Sequence, residues 1–344
     1  MKIFYILLFA LGTFVSTSMA QPGGHNATPM KFAGKANFVM KNMTGAEMAN
    51  VDLPSDTVAY LGTEITIPRI AYGQMVIPSF IIHNVQFELD RTSQTMTVNF
   101  PEQTFSETMT VNGEEKVITG TSLKGTYKHD SWNTFELSLT FSYGSMPMPI
   151  TYTITAYYIK AYTDRMDIVI DKDYKVESVT YNVRTYPDGD VTKLDVEVPT
   201  FSMAGTTIGD LTSGGYTVKG LTMDADKGGY YRDYHEDGIK MHFQAGRIDG
   251  DYALSAAADQ LGNQVNYMLV SFDQKAINIK NVFKPGSMPF AIDATFPGTA
   301  PSGINTVANE ASAKNAPAYD LSGQRVANGY KGLVIFNGKK TLKK

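Results

Sequence analysis

Apolar and polar residues alternate with a period of two along most of the chain. In Phe135-Glu136-Leu137-Ser138-Leu139-Thr140-Phe141-Ser142-Tyr143 every odd position is apolar and every even one polar. Leu194, Val196 and Val198 alternate with Lys193, Asp195 and Glu197, and Ile150, Tyr152, Ile154 and Ala156 alternate with threonines. Met96, Val98 and Phe100 repeat the scheme. Side chains of a strand point to opposite faces in turn, so each segment presents one face to a core and one to water. Turn sequences separate the segments: Asp90-Arg91-Thr92-Ser93, Asn112-Gly113, Pro187-Asp188-Gly189, Lys227-Gly228-Gly229 and Asp249-Gly250. No helical stripe follows residue 20. The pattern predicts an all-β protein of many short antiparallel strands, arranged as barrels or sandwiches.

A weak internal repeat orders these strands. Ile67-Pro68 corresponds to Val198-Pro199, and the segment from Phe80 to Glu88 corresponds class for class to that from Tyr216 to Asp224. The second copy carries five extra residues, expected as a loop from Gly205 to Gly215. The repeat predicts two domains, residues 31–158 and 159–296. A small, polar stretch at 297–316 has linker composition.

The N-terminus has the parts of a secretory signal peptide at residues 1–20: Lys2, a short apolar run, then Ser16-Thr17-Ser18-Met19-Ala20. The run is shorter than the roughly 20 apolar residues a bilayer requires, so no transmembrane helix is expected. The predicted destination is the periplasm, the outer-membrane surface or the exterior.

The chain has 344 residues, 43% hydrophobic and 19% charged, with a net charge of −4. Its zero cysteines exclude disulfides, thiol catalysis and Cys-ligated metal. Six basic residues lie at 317–344 (Arg325, Lys331, Lys339, Lys340, Lys343, Lys344), which leaves an acidic body and argues against a nucleic-acid partner.

Several segments together resemble the calycin-like (lipocalin-like) domain of secreted Bacteroidales proteins. These are Gly34-Lys35-Ala36-Asn37-Phe38-Val39, Ile65-Thr66-Ile67-Pro68, Ile77-Pro78-Ser79-Phe80-Ile81-Ile82 and Gly120-Thr121-Ser122-Leu123-Lys124-Gly125-Thr126. The second half has Tyr186-Pro187-Asp188-Gly189-Asp190, Val198-Pro199-Thr200-Phe201-Ser202-Met203 and Ile208-Gly209-Asp210-Leu211. The resemblance implies two tandem antiparallel up-and-down β-barrels, each able to enclose one small ligand, plus a short C-terminal β segment. At 317–344, Tyr319-Asp320-Leu321-Ser322-Gly323-Gln324-Arg325-Val326 and Lys331-Gly332-Leu333-Val334-Ile335-Phe336-Asn337-Gly338-Lys339-Lys340 resemble the type IX sorting tail of Bacteroidetes proteins. That likeness implies secretion machinery as a partner.

Chemical motifs are sparse. There is no Gly-x-Ser-x-Gly elbow, no His-Glu-x-x-His and no phosphate-binding glycine loop, so no catalysis and no cofactor are expected. If residues 230–237 form a strand, Asp233, His235 and Asp237 share a face and could hold a cation; a hairpin tip accounts for the same residues. Met75, Phe80, Ile82, Phe135, Leu137, Leu139, Phe141 and Tyr143 are expected to line the first barrel, either around a small apolar ligand or as a self-filled core. The expected role is binding, of a small apolar molecule or of a surface macromolecule. A structural or adhesive surface protein is the alternative, and a hydrolase built near Asp233 and His242 is the third reading.

Overall fold

The computed structural model describes residues 28–90, 95–273, 276–299, 332–336 and 339–343. The signal-like 1–20, the linker from residue 300 onward and most of the sorting-like tail lie outside the described residues. The chain divides into a large unit (Met1–Ala300) and a small one (Pro301–Lys344). Every regular element among the described residues is a strand.

The first half contributes β1 (Met30–Lys41), β2 (Glu47–Leu61), β3 (Glu64–Ile67), β4 (Ile70–Tyr72), β5 (Met75–Ile77), β6 (Phe80–Ile82), β7 (Glu88–Asp90), β8 (Thr97–Val111), β9 (Glu114–Lys128) and β10 (Thr134–Tyr143). Strand β11 (Ile150–Val169) runs on into the second half. Antiparallel ladders link β11, β1, β2, β3 and β6 in order, and β7, β8, β9, β10 and β11 in order. Because β6 pairs with β3 and β7 with β8, residues 80–90 act as one interrupted strand that completes an eight-strand circuit. Asn112 and Gly113, both at positive φ, make the tight β8–β9 turn that their sequence predicted. Gly34 is required where β1 crosses β11: a Cβ there would lie 1.9 Å from the Thr155 carbonyl oxygen.

The interruption is a seam bridged by side chains. Glu107 of β8 accepts the His83 N–H (2.7 Å) and bonds the His83 Nδ1 (2.9 Å), while Gln103 accepts the Gln86 N–H (2.8 Å) and donates to its carbonyl (2.9 Å). These contacts replace ladder bonds between residues 83–86 and β8. The hydrogen bond to Glu107 raises the pKa of the exposed His83 above its ordinary 6.5. The pair therefore contributes fully below that ordinary value and is lost as pH rises through the raised one. An NMR titration should show His83 titrating late and His83→Gln flattening the pH dependence of stability above pH 6.5. A midpoint at the ordinary value would contradict the bridge.

The second half adds β12 (Asp173–Asp188), β13 (Val191–Val198), β14 (Phe201–Thr206), β15 (Gly209–Ser213), β16 (Tyr216–Asp224), β17 (Gly229–Asp233), β18 (Lys240–Ala245), β19 (Ile248–Ala253), β20 (Tyr267–Asp273), β21 (Ala276–Phe283) and β22 (Ile292–Thr299). Ladders join β11, β12, β13, β16, β17, β20, β21, β22 and β11 again, so this eight-stranded antiparallel barrel is closed by backbone pairing throughout. Strand β11 serves both circuits without a break. Its partners change between Tyr158, opposite Phe32, and Ile159, opposite Arg184.

Strands β14, β15, β18 and β19 form a separate sheet. Phe201, Met203, Leu211, Met241, Phe243 and Ala245 from it join the second core, so the sheet packs its apolar side on the barrel's end. The first core is built on Phe32, Phe38, Phe135, Phe141 and Tyr152, the second on Met166, Tyr181, Tyr234, Phe283 and Phe296. The small unit contains a hairpin of β23 (Gly332–Phe336) and β24 (Lys339–Lys343).

Three expectations need correction. The extra segment from Gly205 to Gly215 is largely the β14–β15 hairpin, because Phe201, Met203 and Leu211 have an apolar surface to cover. Pro297, Gly298 and Thr299 belong to β22, paired with Asn278, Ile277 and Ala276, and not to a linker. Met96 precedes β8 and is 37% exposed, so the alternating inward row begins at Val98. Of the two readings of residues 230–237 the turn is the one observed: β17 ends at Asp233, Tyr234 enters the core, and residues 235–238 form a turn.

Candidate functional site

The eight residues expected to line the first barrel all reach its core. Phe80, Ile82, Phe135, Leu137, Leu139 and Phe141 are buried, and Met75 and Tyr143 are half-buried against them. Their neighbours are other side chains: the Phe135 ring lies 4.9 Å from Phe32, 5.9 Å from Phe100 and 6.1 Å from Tyr60. The second barrel closes its centre with polar bonds. Tyr234 donates to Asn281 Oδ1 (2.8 Å), Asn281 Nδ2 donates to the Tyr216 hydroxyl (2.7 Å), and the two hydroxyls lie 3.3 Å apart. Burial pushes the Tyr234 phenol well above its ordinary value, so this triangle is uncharged.

Of the three residues considered for a cation, two meet. His235 Nδ1 lies 2.5 Å from Asp233 Oδ1, whereas Asp237 is held by Arg232 at 2.6 and 3.0 Å. The truncated β17 explains the split, because Asp237 lies beyond the strand alternation that would have aligned it. Burial opposes the charge on Asp233, but its bonds with His235 outweigh that and keep its pKa below the usual carboxylate value. The bond to Asp233 raises His235 in turn. No group of three His, Cys, Asp or Glu residues suited to a metal ion occurs among the described residues.

A cleft of about 390 Å³ opens where β11 ends, β20 begins and β21 turns into β22. One wall is the loop at 259–265. Asp259 accepts the N–H groups of Leu261 and Asn263 at 2.9 Å each and the Asn263 amide at 2.9 Å, an Asx-type anchor that holds the loop in place. Those hydrogen bonds, led by Asn263, keep the Asp259 carboxyl below its ordinary pKa. Leu261, at the tip of the loop, is 87% exposed. The facing wall carries Pro289 and Phe290, the latter 50% exposed, and Val169 stands beside them at 47%. Val265 and Val282 are buried at the base. Polar groups rim the cleft: Gln264, which donates to Tyr231 (2.8 Å) and Asp233 (2.6 Å), and Asp293, which pairs with Lys280 (3.2 Å). Asp293 Oδ1 is buried without a hydrogen-bond partner. The volume and the mixture of apolar walls with a few fixed polar groups suit a small ligand.

Sequence reasoning passed over this cleft, since its two walls, at 259–265 and 289–291, lie between strands where no periodicity operates. Leu261 and Phe290 each carry a signal nonetheless, as large apolar side chains amid turn-forming neighbours.

A comparison with curated proteins finds no match. Among solved structures, a candidate outer membrane protein from Bacteroides fragilis is similar over 78% of this chain and 96% of its own, at 14% identity and a TM-score of 0.24. Residues 160–299, which span the second barrel from the point where β11 changes partners to the end of β22, match the family model of the calycin-like beta-barrel domain.

Proposed function

We propose that this chain is a non-catalytic binding protein built from two copies of one eight-stranded barrel, and that it holds a small molecule with an apolar body in the cleft beside Leu261 and Phe290. The observation that carries the reading is the contrast between the buried apolar side chains of both cores and the large apolar groups left in the open at the cleft, Leu261 on an anchored loop and Phe290 facing it. Exposed apolar surface is costly unless something covers it. Duplication is supported by register: Ile67 pairs with Phe80 in the first circuit, and Val198 pairs with Tyr216 in the second, with a hairpin inserted between the strands each time. The signal-like residues 1–20 and the sorting-like tail support a destination in the cell envelope or outside it.

The test uses N-phenyl-1-naphthylamine, an apolar fluorophore. The full chain is expected to enhance its emission saturably, and the double variant Leu261→Ser/Phe290→Ser to weaken binding at least tenfold with an unchanged circular dichroism spectrum. Absent or unaltered probe binding would overturn the assignment and leave the structural or adhesive reading.

A further inference from the structure

Five methionines surround the end of the first circuit at which β1, β8 and β10 finish. Met40, Met75, Met109, Met146 and Met148 all pack on the first core, Met40 buried and the others half-buried. They arrive from four places, namely β1, the β4–β5 hairpin, β8 and the turn between β10 and β11. In the second barrel the sheet of β14, β15, β18 and β19 packs over the end; in the first, the corresponding insertion is only the β4–β5 hairpin.

The turn at 144–149 is set by its prolines. Met146 and Met148 each precede one, and a residue before proline is pushed to an extended backbone. Alternate residues of an extended segment point the same way, and here Ser145, Pro147 and Pro149 are exposed while Met146 and Met148 turn inward. Two hydrogen bonds seat the turn on its neighbours. Lys41 donates its N–H to the Pro149 carbonyl (3.2 Å), next to Met40, which pairs with Ile150. Gly144 donates to the Val117 carbonyl (2.8 Å), beside Lys116, which pairs with Met109. Met75 follows the β4–β5 turn from Tyr72, whose ring lies 6.1 Å from that of Phe38.

Thioether sulfur is a soft, neutral donor. It favours Cu(I) over Zn(II), Mg(II) or Ca(II), which take imidazole or oxygen. With no cysteine in the chain, sulfur ligation here falls to methionine alone. We propose that this methionine ring is a soft-metal site for one Cu(I) ion, with Met146 and Met148 as the paired donors and the third sulfur coming from the ring around them. The site is separate from the apolar cleft of the second barrel and does not depend on it. Neutral thioethers need no deprotonation, so binding should be insensitive to pH where histidine and carboxylate sites are not.

The experiment is an anaerobic titration of the full chain with Cu(I) against the chelator bathocuproine disulfonate. One equivalent is expected to be withheld from the chelator, equally at pH 5.5 and 7.5. The double variant Met146→Leu/Met148→Leu keeps core volume and is expected to fold with a nearly unchanged unfolding midpoint while losing at least tenfold in Cu(I) affinity. Three results would overturn the proposal: no Cu(I) retained by the parent, equal retention by the variant, or a steep loss of affinity at pH 5.5. Should the variant unfold early, the single change Met148→Leu in the same competition decides the matter, with unchanged affinity counting against the site.

Discussion

Asp195→Ala is expected to destabilise the second barrel by about 3–5 kcal/mol, the range for breaking a buried ion pair from one side. The Asp195 side chain is only 9% exposed and that of its partner Arg184 12%. Its carboxylate takes bonds from Arg184 Nη2, from the Tyr186 hydroxyl (3.0 Å) and from the Gly220 N–H (2.8 Å). Removing it strands all three donors, including a guanidinium whose Nε is already buried without a partner. Arg184 also lies 4.6 Å from the centre of the Tyr186 ring, and Tyr186 stacks on Tyr157 at 6.1 Å, so the cluster sits where β11 passes from one circuit to the other. Burial, and then the charge of Asp195, push Tyr186 up to about 12, and it stays neutral in the physiological range. Urea unfolding of Asp195→Ala and Asp195→Asn makes the test. The asparagine retains an acceptor for Tyr186 and Gly220, and should lose less. A loss under about 1 kcal/mol in the alanine variant would mean that water already supports Arg184, as at an exposed pair.

Alternation alone marked Asp195 as an outward polar residue between Leu194 and Val196, with water as its neighbour. Its burial has two non-local causes. A register shift between Leu194 and Val196 against β16 distorts the strand there, and Arg184 arrives from β12 to cover the carboxylate. Neither leaves a trace in a window of nine residues. The rows from Phe135 to Phe141 and from Ile150 to Ala156 were legible because burial on one face of a strand is written locally, in every second residue. The continuity of β11 was not, because no turn or proline marks residues 158–159 and only the pairing partners change. The circuit closures by β22 on β11 and by β7 on β8 are likewise matters of distant pairing. Asp233 and His235 were found from composition, but their separation from Asp237 depended on where Tyr234 leaves the strand for the core.

Phe135→Ala is the second large expectation, at a cost of about 3–5 kcal/mol, typical of truncating a buried aromatic ring. Phe135 is fully buried and stacks with Phe32 amid Tyr60 and Phe100, from strands on both sides of the circuit, so the neighbours cannot collapse inward without leaving their own rotamers. The truncation should leave a dry apolar void, and such voids bind benzene or xenon. The parent and Phe135→Ala should therefore differ qualitatively under xenon pressure: methyl resonances of Leu137 and Ile154 shift saturably in the variant and stay fixed in the parent. Equal shifts in both would show the first barrel to be hollow already. Ligand capture would then move from the cleft at Leu261 and Phe290 to the space between Phe80, Leu139 and Phe141.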